Sequence, residues 1–124
     1  MAATITKATT VHHDTITLTA GAGDTSSTIQ DLTAVDNATV DLRITNGGTG
    51  PTVPAQFQIE TSPDNGTNYF DFGGPLVSLT GNSIVTEWSG IQLPPGCMYV
   101  RITAGSNTGQ DVTARAIVNT YKKL

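Results

Sequence analysis

Apolar and polar residues alternate one by one through most of residues 38–121, and few folds are open to a chain with that period. Val40, Leu42 and Ile44 leave one side of the backbone, while Asp41, Arg43 and Thr45 leave the other. Phe57 and Ile59 oppose Gln58 and Glu60, and Met98, Val100 and Ile102 oppose Tyr99, Arg101 and Thr103. Val112, Ala114, Ala116 and Val118 stand against Thr113, Arg115 and Asn119. Successive side chains of a strand point to opposite faces, so each run buries one face and wets the other. No stretch has the spacing of an amphipathic helix. The pattern predicts an all-β domain built of half-buried antiparallel strands.

Turn chemistry divides the pattern into elements. Gly21-Ala22-Gly23-Asp24-Thr25-Ser26-Ser27 and Asn46-Gly47-Gly48-Thr49-Gly50-Pro51 are loops by composition, and Gly73-Gly74-Pro75 and Thr80-Gly81-Asn82-Ser83 are breaks. Leu93-Pro94-Pro95-Gly96 stays out of a central ladder because proline has no N–H to donate. Pro63-Asp64-Asn65-Gly66 is a tight-turn sequence between strands at 55–61 and 69–72. Shorter strands are expected at 28–32, 76–79 and 84–88. Residues 97–104 and 111–121 are expected to pair as a long hairpin over Gly105-Ser106-Asn107-Thr108-Gly109. About eight strands with regular turn signals predict an antiparallel β-sandwich, jelly-roll or immunoglobulin-like in its connections.

At 124 residues the chain fits one domain, assigned to residues 13–124. Residues 1–12 are rich in Thr and Ala and are expected to form an extended N-terminal arm, mobile in the free chain. Ile5 and Val11 suit that arm to strand addition at a neighbour's edge.

Composition removes several function classes. Charged residues make up 13 % of the chain, about half the usual ~25 %. Threonine takes their place at roughly one residue in six, and its branched Cβ suits a pleated strand. Such faces are polar without many ions to desolvate, which favours broad protein contacts. A net charge of −4 and six scattered basic residues argue against nucleic acid. No run approaches a membrane span, and residues 1–10 lack the charged and then apolar segments of a secretion signal. Cys97 is alone and reads as a small hydrophobe at a strand start, consistent with a reducing cytoplasm.

Residues able to do chemistry are few. His12 and His13 are adjacent, so on a regular strand they point to opposite faces and cannot share a metal; both are expected to be exposed. Asp24, Asp31, Asp36 and Asp41 lack the Gly-centred spacing of a calcium loop. Gly47-Gly48-Thr49-Gly50 leads into Pro51 and no helix, so it cannot cradle a phosphate. No Ser/His/Asp order can be defended. Trp88 shares parity with Ile84 and Thr86 and reads as a core plug ahead of a sugar platform or an interface anchor. Phe70 and Phe72 share one face, Tyr69 the other. Tyr99, Arg101, Arg115 and Tyr121 are placed on the outward face of the final hairpin, a composition that protein interfaces favour. No cofactor, metal or catalytic residue is expected, and the chain reads as a binding or building piece.

Ser62-Pro63-Asp64-Asn65-Gly66-Thr67-Asn68-Tyr69-Phe70-Asp71 is the most specific string present. It resembles a hairpin of small β-sandwich virion proteins of tailed bacteriophages, in which a Ser-x-Asp-Gly-type turn leads into an aromatic strand. Asn65 is inserted between Asp64 and Gly66 in this chain. Residues 99–105 with Asn107-Thr108-Gly109 and Val112-Thr113-Ala114 resemble the terminal hairpin of the same proteins. The resemblance covers mainly residues 55–121. It implies a capsid cement (decoration) protein, made in the host cytoplasm and bound outside the phage head to the major capsid protein, often as a homotrimer. Tail and head-fibre domains share the style, and the Asp-Gly-aromatic turn also occurs in carbohydrate-binding sandwiches.

Overall fold

Alternation turns into strands wherever the backbone can find a partner. The computed structural model describes residues 5–123, and these contain ten strands and no helix. They are β1 (Ile5–Leu18), β2 (Thr25–Ser26), β3 (Gln30–Asp31), β4 (Asn37–Asn46), β5 (Gln56–Ser62), β6 (Phe70–Asp71), β7 (Leu76–Val77), β8 (Val85–Gln92), β9 (Tyr99–Gly105) and β10 (Val112–Lys123). Every pairing is antiparallel.

One sheet has the order β1-β10-β4-β8. The other runs β2-β9-β5-β6, with β3 also on β9 and β7 also on β5. Counting β2 with β3 and β6 with β7 as two interrupted strands leaves eight, four to a sheet. The chain crosses between sheets at almost every connection, and this order is that of a jelly roll. Of the two connectivities the alternation allowed, the immunoglobulin-like one is not formed.

The core lies between the sheets. Val40, Ile44, Val118 and Ala116 from the first sheet meet Phe57, Val100 and Ile102 from the second, all at 0 % exposure. Burying each large side chain of this kind stabilises by roughly 1.5–3 kcal/mol. Trp88 joins them from the inner face of β8, its ring edge-on to Phe57 at 6.1 Å and 86°. Its parity therefore gave the right face.

The tight turn is where the sequence put it. β5 and β6 pair through Glu60↔Asp71 and Thr61↔Phe70, and Asn65 and Gly66 take φ of 65° and 85°. The final hairpin is not formed. β9 belongs to one sheet and β10 to the other, and residues 105–111 carry the chain between them. Two features hold this crossing. A Cβ on Gly105 would lie 2.6 Å from the Gly23 carbonyl oxygen, so only glycine lets the segments approach. Asn107 is buried and donates through Nδ2 to the carbonyls of Leu18 (2.9 Å) and Gln110 (3.0 Å).

The N-terminal arm also differs from expectation over its described part. Residues 5–12 belong to β1, and Ile5↔Lys123 through Val11↔Ile117 form an unbroken ladder with β10. Over residues 5–11 alternate N–H and C=O groups gain partners there even though the side chains stay exposed, and the other half of these groups point away from β10. The boundary drawn at His13 falls on a register shift within the strand, not at the strand's start. Residues 1–4 lie outside the described residues.

Candidate functional site

Splitting β9 from β10 separates the expected contact residues. Tyr99 and Arg101 lie on the outer face of the β5–β9 sheet, whereas Arg115 and Tyr121 lie on the outer face of the β1–β10 sheet. The two pairs therefore sit on opposite sides of the sandwich, and no single surface contains all four. Ile5 and Val11 stand beside the second pair, 58 % and 42 % exposed.

On the first face, the register Glu60↔Arg101 sets acid beside base. Arg101 Nη2 donates to Glu60 Oε2 at 2.9 Å, and Thr103 Oγ1 donates to Glu60 Oε1 at 2.8 Å. The Arg101 hydrogen bond, helped by Thr103, holds the Glu60 carboxyl below its ordinary range against the opposing effect of burial. The Arg101 guanidinium also lies 4.1 Å from the centroid of the Tyr69 ring, a cation–π contact. Tyr99 donates its hydroxyl to Asn65 Oδ1 at 2.9 Å, fastening the β5–β6 turn to β9. Tyr69 Oη and Arg101 Nε are buried without a partner among the described residues. This patch is aromatic, rigid and only weakly charged.

The second face is a row of neutralised charges. Arg115 Nη1 donates to Asp14 Oδ1 at 2.9 Å, and Arg43 Nε to Glu87 Oε1 at 3.0 Å. Asn119 Nδ2 donates to Asp41 Oδ2 at 2.8 Å, and Thr9 Oγ1 to Asn119 Oδ1 at 3.2 Å. A hollow of about 280 Å³ opens between Asp41, Arg43, Glu87 and Arg115, where Gly90 N–H donates to Asp41 Oδ1 and bulges β8. Trp88 lines this hollow and also an apolar one beside Ile59, Phe72, Leu76 and Ile91, and its ring meets Phe57 edge-on. Phe70 is exposed at the sheet edge, whereas Phe72 packs against the core.

The histidines overturn their expected exposure. A bulge between Val11 and His13 breaks the strand alternation, and both side chains are buried. Gln30 Oε1 can only accept, so His12 Nε2 carries the proton that bridges them at 2.6 Å. His12 Nδ1 then accepts from Ser27 Oγ at 2.7 Å, and that same oxygen accepts from Ile102 N–H at 2.9 Å. His13 Nε2 donates to the Ile102 carbonyl at 2.8 Å. β1 of one sheet is thereby tied to β9 of the other. Desolvation lowers the pKa of both rings, more than the Gln30 and Ile102 hydrogen bonds raise it. Nothing in a bare His-His dipeptide announces a bulge, so the sequence offered no signal for this clasp.

The remaining candidates hold local structure. Asp24 accepts from Ser106 Oγ (2.7 Å), Asp31 from Thr33 N–H and Oγ1, and Asp36 from Lys123 N–H. Cys97 is partly buried against the core, which pushes its thiol pKa up. Among the described residues no three His, Cys, Asp or Glu side chains gather as a metal site, and no helix is long and apolar enough to cross a membrane.

No family model matches the sequence, and no curated protein matches it. Solved structures do share the fold. The structure of infectious bursal disease virus Gx strain matches with a TM-score of 0.60 at 10 % identity, over 95 % of this chain and 32 % of that one. This chain thus spans about a third of the viral chain's length. The SPBc2 prophage-derived protein YomS matches at 0.54 and 15 % identity, over 96 % of this chain and 97 % of its own. A chain from the disulfide-linked pili of Bacillus endospore appendages matches at 0.50 and 11 % identity, over 98 % and 91 %. At these identities the likeness is one of fold alone.

Proposed function

We propose that this chain is a non-enzymatic structural protein of a virion, a cement (decoration) protein seated outside a phage head on the major capsid protein. The observation that carries the reading is the strand order itself. A jelly roll lying along 95 % of this chain is also found in infectious bursal disease virus, and along nearly all of a prophage-derived protein of similar length. The flanking features agree. The outer face of the β1–β10 sheet carries Thr9, Thr39, Thr45 and Thr113, and each arginine of either face is already paired with a carboxylate, so a broad contact would strip few bare ions of water.

Self-association as a closed trimer belongs to the same reading, because one chain fills symmetric sites on a shell most simply as a cyclic oligomer. The Tyr69–Tyr99–Arg101 patch is the better contact of the two faces. Its aromatic and arginine content is what interface centres favour. Synthesis in the host cytoplasm fits the single cysteine. The sugar-binding alternative is the weaker reading, since Trp88 packs edge-on against Phe57 from the inner face of β8.

Gold-labelled protein added to purified phage particles and viewed by negative stain tests the proposal. Label spread over the heads is the expected result, label confined to the tail would make it a tail domain, and bare particles would end the reading. Sedimentation equilibrium, with Arg101→Ala alongside, tests the trimer. A shift from trimer toward monomer in the variant is expected, and an unchanged mass would move the contact elsewhere.

A further inference from the structure

A β-sandwich of two open sheets has four edges, and three of them here are spoiled for pairing. β2 and β3 are two residues each and separated by the irregular residues 27–29, and β6 and β7, equally short, by a bend at Gly73-Gly74. β8 carries a register shift against β4, with Gly90 at φ 67°. Such interruptions are how native sheets avoid adding a foreign strand. β1 is protected in the same way only beyond Val11, where its register shifts twice and Thr15 takes φ 51°. Residues 5–11 are regular, exposed on both faces and paired along the backbone only with β10, and one side-chain hydrogen bond, from Gln30 Nε2 to Thr10 Oγ1 at 3.1 Å, reaches them from the other sheet. Among the described residues this is the one continuous edge left open.

Charge marks the same place. All three arginines form ion pairs, with Glu87, Glu60 and Asp14. The three lysines form none among the described residues, and the register gathers them at one end of the β1–β10 ladder, through Lys7↔Tyr121, Thr6↔Lys122 and Ile5↔Lys123. A chain of net charge −4 thus gathers its three lysines beside its open edge, with the Asp36 carboxylate, bonded to the Lys123 N–H on the β4 side of β10, as the one acidic group bonded at that end among the described residues. Lys7 and Lys123 share the outer face and Lys122 takes the other. A strand added to β1 would lie within about 10 Å of all three, inside the Debye length at moderate salt.

We propose that residues 5–11 of β1 accept an extended, acidic segment of a partner protein as an added strand, with Lys7, Lys122 and Lys123 selecting for its carboxylates. Backbone hydrogen bonds supply the attachment and the lysines the choice of partner. A second copy of this chain fits less well. Added antiparallel across Ala8, it would set Lys7 diagonally against its own counterpart, and like charges facing across strands destabilise a pair. Within the attachment reading above, the segment would belong to the capsid protein. The edge itself does not depend on that reading.

The test uses the full chain and a synthetic peptide as long as the open edge, with valine and glutamate alternating. A second peptide has lysine for glutamate, and a third is the glutamate peptide with N-methylated backbone. The glutamate peptide is expected to slow amide exchange at residues 5–11 and to bind about tenfold more tightly than the lysine peptide at low salt. The triple variant Lys7→Glu, Lys122→Glu and Lys123→Glu should invert that preference, and the N-methylated peptide should not bind. Equal binding of the two charge types, or protection elsewhere than on β1, would overturn the inference. So would competition by a DNA duplex with no amide protection, which would make the lysines a general patch for polyanions. No particles are used, so failure here leaves shell attachment standing, and bare particles in the labelling experiment would leave the edge standing.

Discussion

The two halves of β1 share one strand and one partner but are held by different forces. Residues 5–11 are held by the β10 ladder and a single exposed hydrogen bond from Gln30 to Thr10, with every side chain exposed. The half from His12 to Leu18 is irregular in register yet anchored by three buried side chains, His12, His13 and Leu18. Regular geometry and strong attachment have parted company. Backbone hydrogen bonds give the outer half its shape and each contributes only about 1 kcal/mol net, whereas burial gives the inner half most of its stability.

The sharpest way to break the contrast is at its buried end. Leu18→Ala should lower unfolding free energy in urea by about 2–5 kcal/mol, as for other leucines removed from a core. A loss below about 0.5 kcal/mol would mean the inner half is no better anchored than the outer.

Acid should act on the same half. Burial depresses the folded-state pKa of both histidines below the ordinary 6.5, so their contribution to stability is complete above pH 6.5. It is lost progressively as pH falls from there through the folded values, because the unfolded chain binds protons first. The melting temperature of the wild type should therefore step down below pH 6.5. The double variant His12→Gln, His13→Gln should show no such step, and a step of equal size in both proteins would clear the histidines of the effect.

Hydrogen exchange compares the halves without mutation. Amides of residues 5–11 that bond to β10 should open at lower free energy than those near Leu18, and equal protection along β1 would erase the distinction. The smallest effect is expected from Ile5→Thr and Val11→Thr. Each should change stability by less than about 0.5 kcal/mol, since neither side chain is buried.

Much of the fold could be read from the residues because strand formation is encoded locally. Val40-Leu42-Ile44 and Val112-Ala114-Ala116-Val118 declare their inner faces whatever they pair with, and Asn65-Gly66 declares a turn that requires positive φ. Pairing partners are not encoded that way. Residues 97–104 and 111–121 have the same inward pattern whether they are hairpin neighbours or belong to facing sheets. A Gly-Ser-Asn-Thr-Gly loop suits both outcomes until Asn107 is seen donating to Leu18. The candidate contact residues divide at that point too, since only a hairpin would put Tyr99 and Arg115 on one face. Burial of His12 and His13 depended on a one-residue bulge. The lysine cluster appears only after Lys7 and Lys122 are aligned by a register spanning most of the chain.

The order β1-β10-β4-β8 also sets a timetable for folding. β10 follows all nine other strands in sequence, yet it is an interior strand, flanked by the first strand and the fourth. While the chain emerges from the ribosome, β1 has no strand to pair with and β4 lacks its neighbour on one side. The sheet closes only after Val112–Lys123 is free to slot between them. Closure of so long a loop makes folding slow relative to a domain of local hairpins. Crowded nascent copies can meanwhile lend one another a β10, and the same vacancy that delays the monomer becomes a route to strand-swapped pairs.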